Sequence, residues 1–285
     1  MVSYYLYRLG QKLALALPIR KAYALAVLFS DLHYFFAWHD RRVTLQNLRA
    51  IFPQKSNGEI RRIRKEIFRN FAKYLVDFFR FSEIDRAYIE NNVRIENVRY
   101  IEEGLSRGKG VITLTAHMGN WELGGAALAL SGYPFAAVAL PHKDKKVNSF
   151  FNYQRQIKGV KVIPVGKAVR NCLEVLRQNS VLALLGDRNF NEKGIEVDFF
   201  GKPTLLPAGP AALSLKTDAA LVPGFMLRNP DDSFTLRFEK PIEFKESGDR
   251  ESDIRALVYS YKTVIENYIL RYPGQWSMFR RFWIE

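Results

Sequence analysis

Residues 110–130 read GVITLTAHMGNWELGGAALAL and carry the clearest signal for the architecture. A β-rich apolar run ends at His117, and a Gly-Asn pair then opens a helix rich in alanine and leucine. A strand that passes directly into a helix predicts an α/β fold, in which ligands bind at the carboxyl ends of the strands. We therefore expect His117 to lie at that edge of a sheet.

The same alternation of short apolar runs and helical patterns continues from Arg94 onward. The predicted strands are 111–116, 135–140, 160–165, 181–187, 196–199, 221–225 and 234–238. The predicted helices between them are 119–131, 145–158, 167–179, 208–217 and 250–271. Such alternation predicts a mostly parallel central sheet flanked by helices.

The first third of the chain has a different pattern. Residues 1–92 look entirely helical, and the stretch 59–80 combines an apolar face with a basic one. We interpret 1–92 as a helical membrane-docking and basic region and 93–285 as the α/β core. No long Pro/Gly/Ser linker separates them, so together they are predicted to form one structural domain.

Residues 22–38 (AYALAVLFSDLHYFFAW) are the most apolar part of that region. The segment is short for a membrane span and contains Asp31 and His33, so we expect it to lie on or dip into a bilayer rather than cross it. The alternative is a buried helical hairpin in a soluble protein. No signal peptide is recognisable, and we expect the cytoplasmic side of the membrane.

The chain of 285 residues has a formal net charge of +14, and 41–73 contain ten Lys/Arg against two Glu. This excess predicts a negatively charged partner, such as an anionic membrane, a nucleic acid, an acidic carrier protein or a phosphorylated substrate. No helix-turn-helix, zinc-finger or aromatic RNA-binding signature is present, so no nucleic-acid partner is expected. Cys172 is the single cysteine, which excludes an internal disulfide.

His117 and Glu122 are the candidate catalytic pair. The histidine precedes the helix and Glu122 lies in its first turns, so the carboxylate is predicted to accept one ring N–H and leave the other nitrogen free as a base. Free backbone N–H groups near Gly119 and Asn120 are predicted to stabilise developing negative charge. A structural histidine is the alternative interpretation of His117.

A serine hydrolase is a further possibility to be weighed, because residues 104–108 spell G-x-S-x-G. A nucleophile elbow requires a strand before the serine and a helix after it. Ser106 instead ends a helical stretch and precedes a strand, so we do not expect it to be a nucleophile.

Three segments together resemble a known family. HMGNWE at 117–122 resembles the H-x-x-x-x-D/E box of glycerolipid acyltransferases, in the form found in bacterial lipid A late acyltransferases and mycobacterial phosphatidylinositol mannoside acyltransferases. VTLQNLRAIFP at 43–53 is similar to the family's R-x-N-L-x-x-x-F-P opening, and 197–225 is similar to its later half. The resemblance spans nearly the whole chain.

This resemblance implies a direct transfer in which His117 deprotonates an acceptor hydroxyl that attacks a thioester, with Glu122 orienting the histidine. Arg155 matches an arginine that contacts an anionic part of the donor or acceptor. Asp187 matches the acidic residue of a later box and is implied to bind or position substrate. The remaining candidate substrate-binding residues are Arg188, Gly119 and Asn120.

The donor implied by the resemblance is an acyl carrier protein or coenzyme A thioester, used as a co-substrate without a metal or other cofactor. The implied acceptor is a glycolipid such as a lipid A precursor, with a phosphatidylinositol mannoside or a lysophospholipid as alternatives. The implied location is the cytoplasmic face of the inner membrane, as a peripheral or monotopic protein. From other classes, a non-catalytic lipid-binding protein and a basic nucleic-acid-binding protein stay open. Phe279 stands where many lipid A members carry a histidine, which leaves the role of the C-terminal edge undefined.

Overall fold

Five helices precede the sheet in the computed structural model, which describes residues 2–189 and 194–284. They are α1 (Val2–Ala16), α2 (Ile19–Phe36), α3 (Trp38–Ile51), α4 (Asn57–Phe79) and α5 (Arg86–Asn92). The start of α4 follows from a capping box, in which the Glu59 N–H donates to the Ser56 hydroxyl and the Ser56 N–H donates to the Glu59 carboxylate. The predicted helical character of the region up to residue 92 is confirmed.

The rest of the described chain alternates strands and helices. The strands are β1 (Val93–Glu96), β2 (Val111–Thr115), β3 (Phe135–Ala139), β4 (Lys161–Pro164), β5 (Val181–Leu185), β6 (Gly194–Phe199), β7 (Lys202–Pro207), β8 (Ala220–Arg228) and β9 (Phe234–Phe238). The helices are α6 (Arg99–Ser106), α7 (Trp121–Leu130), α8 (Lys145–Gln156), α9 (Ala168–Arg177), α10 (Gly209–Thr217) and α11 (Arg250–Arg271).

Seven of these strands form the central sheet in the order β1-β9-β8-β2-β5-β3-β4. Its neighbouring strands run parallel except for β8 and β9, which are antiparallel. β2 lies in the middle and is buried on both faces, which explains why its sequence is a continuous apolar run. The predicted α/β fold with a mostly parallel sheet is confirmed.

Two strands were not predicted, and both have local reasons. β1 is only four residues long and follows α5 without a turn signal. β7 contains Pro203 and Pro207, which lack N–H donors, and it pairs with β6 in a separate two-stranded sheet. The strand predicted at 196–199 therefore exists within β6 but lies outside the central sheet.

Apolar side chains of successive β2 residues point to opposite faces of the sheet and seed two cores. Val111 belongs to a core shared with α7, α8 and the end of α4, whereas Ile112 belongs to a core shared with α9, α10 and α11. The first core contains Phe78 of α4 together with Leu123 of α7. The N-terminal helices are thus packed directly on one face of the sheet.

The outer surface of α1 and α2 is strongly apolar. Exposed fractions are 70% for Phe35 and 79% for Phe36 at the end of α2, and 64% for Trp38 at the start of α3. The other exposed large apolar residues there are Tyr5, Leu6, Leu9, Leu13, Leu15, Leu28, Phe29 and Leu32. The alternative of a fully buried hairpin is therefore wrong for these side chains. Among the described helices, none combines the length and the apolar character needed to span a bilayer.

Candidate active site

Adjacent parallel strands bring His117 and Asp187 together. The register pairs Thr115 of β2 with Leu185 of β5, and His117 and Asp187 each lie two residues beyond. The imidazole Nδ1 lies 2.7 Å from Asp187 Oδ1, and the His117 backbone N–H donates to Oδ2 over 2.9 Å. The ring is 8% exposed and lines a large cavity. Since Asp187 occupies Nδ1, the Nε2 atom is the one left for substrate.

Glu122 does not make the contact predicted for it. Its carboxylate instead receives two hydrogen bonds from Arg155, Nε to Oε2 at 2.9 Å and Nη2 to Oε1 at 2.5 Å. The predicted role of Glu122 as the partner of the His117 ring is therefore corrected, and Asp187 has that place. The physical reason is that Glu122 lies in the first turn of α7 and points toward α8, whereas Asp187 lies beside His117 across the sheet.

Part of the Arg155 guanidinium is hydrogen-bonded to other side chains of the protein. Besides the fork with Glu122, its Nη1 donates to Asn152 over 3.1 Å, and both members of the ion pair are 12% exposed. Burial alone would lower the pKa of Arg155, but the charge and hydrogen bonds of Glu122 outweigh it and raise this pKa. Three of the five guanidinium N–H donors are used. The two others remain for a ligand, since Arg155 lines the cavity.

Asp187 is fully buried, and its carboxylate accepts several hydrogen bonds. Trp276 Nε1 donates to its Oδ2 over 3.0 Å, in addition to the bonds from His117. Burial would raise the pKa of this carboxyl, but the charge and hydrogen bonds of His117, together with nearby Arg188, lower the pKa of Asp187 to about 2. Asp187 does not line the cavity, and its buried carboxylate holds His117 in position, while its predicted role toward the substrate stays a prediction.

Gly119 and Asn120 were predicted to offer free backbone N–H groups, and this is wrong. The Gly119 N–H donates to the Gln275 carbonyl and the Asn120 N–H donates to the Met226 carbonyl, both over 2.9 Å. Gly119 has φ +58°, and an added Cβ would lie 1.9 Å from the Met226 oxygen, so only glycine fits. Both residues hold the turn between β2 and α7 in place, and neither lines the cavity.

A buried polar network behind this turn was missed at the sequence level. The Asn120 side chain caps α7 through the Leu123 N–H and donates to Asp77 Oδ2 over 2.8 Å. Asp77 also accepts from Tyr23 of α2 and pairs with Arg228 of β8. Burial raises the pKa of Asp77 despite these partners. The one available signal was a carboxylate placed between the apolar residues of α4.

The C-terminal segment, whose role was undefined from the sequence, completes the site. The Ser277 N–H donates to the His117 carbonyl over 2.8 Å, and the Ser277 carbonyl accepts from Arg188 Nη2 over 2.6 Å. Asn47, from the motif at 43–53, holds the same segment by donating to the carbonyls of Met278 and Arg280. No local pattern in the sequence connects these residues, because they lie far apart along the chain.

The cavity beside His117 has a volume of about 930 Å³. Its walls include small and branched apolar residues from β3, β5, α9 and α10, among them Ala137, Val138, Ala183, Val169 and Leu213. The exposed cations Lys216, Arg250 and Arg280 also line it, so they mark its opening to solvent. An apolar interior with a cationic opening suits a hydrocarbon chain that carries an anionic head.

Arg188 lines the same cavity, and one of its donor atoms is buried without a partner in the part of the chain that the structure describes. Its Nη2 bonds to Ser277, whereas its Nε is buried without a hydrogen-bond partner among the described residues. Burial lowers the pKa of Arg188 from its ordinary value, although a guanidinium stays charged in proteins. A buried unpaired donor is costly, so this atom is an energetic weak point in the cavity wall.

Two other nucleophiles can be assessed from their surroundings. Ser106 ends α6 and its hydroxyl donates to the Glu103 carbonyl, as expected for a residue outside the site. Burial raises the pKa of the Cys172 thiol to about 11, so the thiol is protonated at neutral pH. No group of three or more His, Cys, Asp and Glu side chains suited to a metal occurs within 2–189 and 194–284.

The sequence was compared with known proteins. The profile described as bacterial lipid A biosynthesis acyltransferase matches residues 1–285. A phosphatidylinositol mannoside acyltransferase of Mycolicibacterium smegmatis is 28% identical over 75% of this chain and 70% of its own length. One from Mycobacterium tuberculosis is 32% identical over 54% of this chain and 51% of its own. A lipid A biosynthesis acyltransferase of Haemophilus influenzae is 22% identical over 81% of this chain and 71% of its own length.

Proposed function

The chain belongs to the bacterial lipid A biosynthesis acyltransferase family and is an acyltransferase, and we propose that it transfers a fatty acyl group from a thioester to a hydroxyl of a glycolipid. The observation that carries this proposal is the His117–Asp187 pair beside an apolar cavity of about 930 Å³. A base is needed to activate the alcohol, and an apolar space is needed for the acyl chain.

His117 Nε2 takes the proton of the acceptor hydroxyl while the hydroxyl oxygen attacks the thioester carbonyl. A carbon–oxygen bond forms and the carbonyl electron pair moves to oxygen. When the tetrahedral intermediate collapses, the carbon–sulfur bond breaks, and the proton on Nε2 passes to the departing thiolate. Asp187 holds the proton on Nδ1 and stabilises the imidazolium formed in between. No acyl-enzyme intermediate is required.

Arg155 and Arg188 supply the positive charge of the site. In this proposal, the two unused N–H donors of Arg155 contact an anionic part of donor or acceptor, and Glu122 holds the guanidinium in a fixed orientation. Arg188, which lines the same cavity, adds a second positive charge to the site. Such prearranged donors stabilise charge that develops in the transition state.

The donor is an acyl carrier protein or a coenzyme A thioester. Lys216, Arg250 and Arg280 at the cavity opening suit either the phosphates of coenzyme A or an acidic carrier protein. The acceptor is a glycolipid, with a lipid A precursor and a phosphatidylinositol mannoside as the two forms suggested by the names of the relatives. No resident metal or redox cofactor takes part in the proposed reaction.

The protein is proposed to work on the cytoplasmic face of the inner membrane as a peripheral or monotopic protein. The support is the exposed apolar surface of α1 and α2 beside the basic residues of α3 and α4. Apolar residues that enter the interface and cations that attract anionic headgroups together favour membrane binding. Sedimentation with anionic vesicles, compared with binding to duplex DNA at the same salt concentration, tests this location.

The activity is tested with purified protein, several acyl thioesters and candidate glycolipid acceptors, with products identified by mass spectrometry. We expect an acylated lipid whose formation requires both substrates, and loss of product in His117→Ala. Free fatty acid alone would indicate a hydrolase. Acyl transfer that survives in His117→Ala would exclude His117 as the base, and lipid binding without turnover in the unaltered protein would favour a non-catalytic lipid carrier.

A further inference from the structure

A second cavity lies between α1, α2 and α4, outside the site described above. Its volume is about 570 Å³, and apolar side chains form nearly all of its wall. The residues that matter for the argument are Leu13, Ala26, Phe29, Ala72, Leu75 and Phe279. We call this space the N-terminal cavity. A volume of several hundred cubic ångströms with an apolar lining is the usual setting for a hydrocarbon ligand.

The N-terminal cavity is continuous with the exposed apolar surface of the first two helices. Leu13 of α1 and Phe29 of α2 line the cavity, yet they are 40% and 54% exposed. Beyond Phe29, α2 continues with the exposed residues Leu32 and Phe35. A hydrocarbon chain resting on this surface would therefore reach the cavity sideways, without passing through water.

On its inner side the N-terminal cavity meets the catalytic cavity. Phe71, Leu75 and Phe279 line both spaces. From there a row of aromatic rings leads to the catalytic histidine: the ring centroids of Phe279 and Phe71 are 5.1 Å apart, those of Tyr74 and Trp121 are 4.5 Å apart, and Trp121 lies 5.2 Å from His117. The partition between the two cavities thus consists of a few side chains.

The residues that follow His33 and Asp40 of the cavity wall, Tyr34 and Arg41, belong to a cluster of cations and aromatic rings that lies beside the N-terminal cavity and not in its lining. The guanidinium groups of Arg41 and Arg64 and the Lys65 ammonium lie over the Tyr34 ring of α2. Arg42 lies in the same way over the exposed Trp38. Cations that rest on aromatic rings beside an apolar space favour a lipid that carries negative charge over a neutral apolar ligand.

We infer that the N-terminal cavity holds an acyl chain of the membrane lipid acceptor, which enters sideways from the bilayer so that its headgroup hydroxyl reaches His117. The identity of this lipid as the acceptor rests on the proposed function, whereas occupancy of the cavity by a lipid chain does not. Phe71 and Phe279 are positioning residues in this arrangement, because they separate the acceptor chain from the acyl chain in the catalytic cavity.

The inference is tested by photo-labelling the full chain with phosphatidylglycerol that carries a diazirine in the middle of one acyl chain, in phosphatidylcholine and phosphatidylglycerol vesicles. Labelled residues are identified by peptide mass spectrometry. Ala26→Phe fills the cavity from α2, and Ala24→Phe adds the same ring at an exposed position of that helix. Labelling of cavity residues should fall about tenfold in Ala26→Phe, as expected when about two methylene groups lose their apolar contact, and should be unchanged in Ala24→Phe.

Ala72→Leu, which fills the cavity from α4, provides a second variant, and thermal unfolding verifies that each variant is folded. Labelling should persist in His117→Ala, because occupancy of the N-terminal cavity by a lipid chain does not depend on catalysis. In transfer assays, Ala26→Phe should raise KM for the lipid acceptor and leave KM for the thioester unchanged. If the unaltered protein is labelled inside the cavity but transfers no acyl group, the proposed function is refuted and the lipid occupancy of the cavity is not.

Three results would overturn the inference. One is labelling confined to exposed residues such as Leu28 and Phe35 with none inside the cavity. The second is equal labelling of cavity residues in Ala26→Phe, Ala72→Leu and the unaltered protein, all of them folded. The third is cross-linking between two copies of the chain through α1 and α2 with exclusion of the lipid probe, which would make this face a dimer interface.

Discussion

Replacing Asp187 with asparagine tests the catalytic assignment most directly. Asp187 Oδ2 accepts two N–H donors, the His117 backbone and Trp276 Nε1, whereas Oδ1 faces only the His117 Nδ1. In Asp187→Asn the amide oxygen should therefore stay at the Oδ2 position, since an NH₂ group there would face two donors. The NH₂ group would then donate to Nδ1 and force the ring proton onto Nε2. A histidine in that tautomer has no free nitrogen with which to accept the hydroxyl proton.

The expected effect is a loss of about 10⁴-fold in kcat, the magnitude that a wrong histidine tautomer produces elsewhere. KM should change little, because the buried Asp187 carboxylate touches no substrate in this arrangement. Initial rates of product formation, measured by mass spectrometry at saturating thioester and acceptor, provide kcat. Nitrogen-15 NMR of the His117 ring provides the tautomer independently of activity.

Glu122→Gln is the matched control, because it removes the other carboxylate near the histidine. Its main consequences should be loss of stability and a raised KM, since breaking a buried ion pair costs about 3–5 kcal/mol and leaves Arg155 without the carboxylate that orients it. If Glu122→Gln instead abolished kcat and shifted the His117 tautomer, while Asp187→Asn stayed within about tenfold of the unaltered enzyme, the reasoning from the sheet register would be refuted.

Three further predictions concern stability and are read from urea unfolding. Gly119→Ala should lower the free energy of unfolding by about 3 kcal/mol or more, because the added Cβ would overlap a backbone carbonyl. Gly108→Ala, also at positive φ but with open space around it, should lower it by only about 1–2 kcal/mol. Equal losses would contradict the steric argument. Asp77→Ala should lower the free energy of unfolding by about 3–5 kcal/mol, because it leaves the buried Arg228 with only the longer contact to Asp232 and removes the acceptor of Tyr23 and Asn120. Arg86→Ala, in an exposed pair, should lower it by less than about 1 kcal/mol. Because the pKa of Asp187 is lowered to about 2 in the folded protein, its contribution to folding stability is fully present above the unfolded pKa of about 3.9 and is lost as the pH falls toward 2. Asp187→Asn should therefore reduce the dependence of the free energy of unfolding on acid pH. An unchanged dependence would contradict the pKa shift.

Most of the fold could be predicted because its signals are local. The run at 111–116 is mostly apolar, and the run at 234–238 alternates apolar and polar residues over the length of a strand. The helix predicted at 250–271 agrees with α11 at both ends. β1 and β7 were missed because one is very short and the other contains two prolines, so neither shows the usual pattern. Their existence depends on partners that lie elsewhere in the chain.

The site was predicted only in part. His117 was found because a polar residue at the end of a buried strand, followed by Gly-Asn, is conspicuous. Glu122 was matched to it because the two are near each other in sequence, although the helix turns its carboxylate toward Arg155. The actual partner, Asp187, is 70 residues away, and the C-terminal contribution of Trp276 is farther still.

The amino-acid sequence alone determined the alternation of strands and helices, the apolar and basic faces of the N-terminal helices, and the position of His117 at a strand end. Each of these features depends on residues that lie close together along the chain. Only the tertiary structure decided which carboxylate orients the histidine and which donors remain free. The reason is that β2 and β5 are neighbours in the sheet but not in the chain, so hydrogen bonding between strands, and not spacing along the sequence, brings His117 to Asp187.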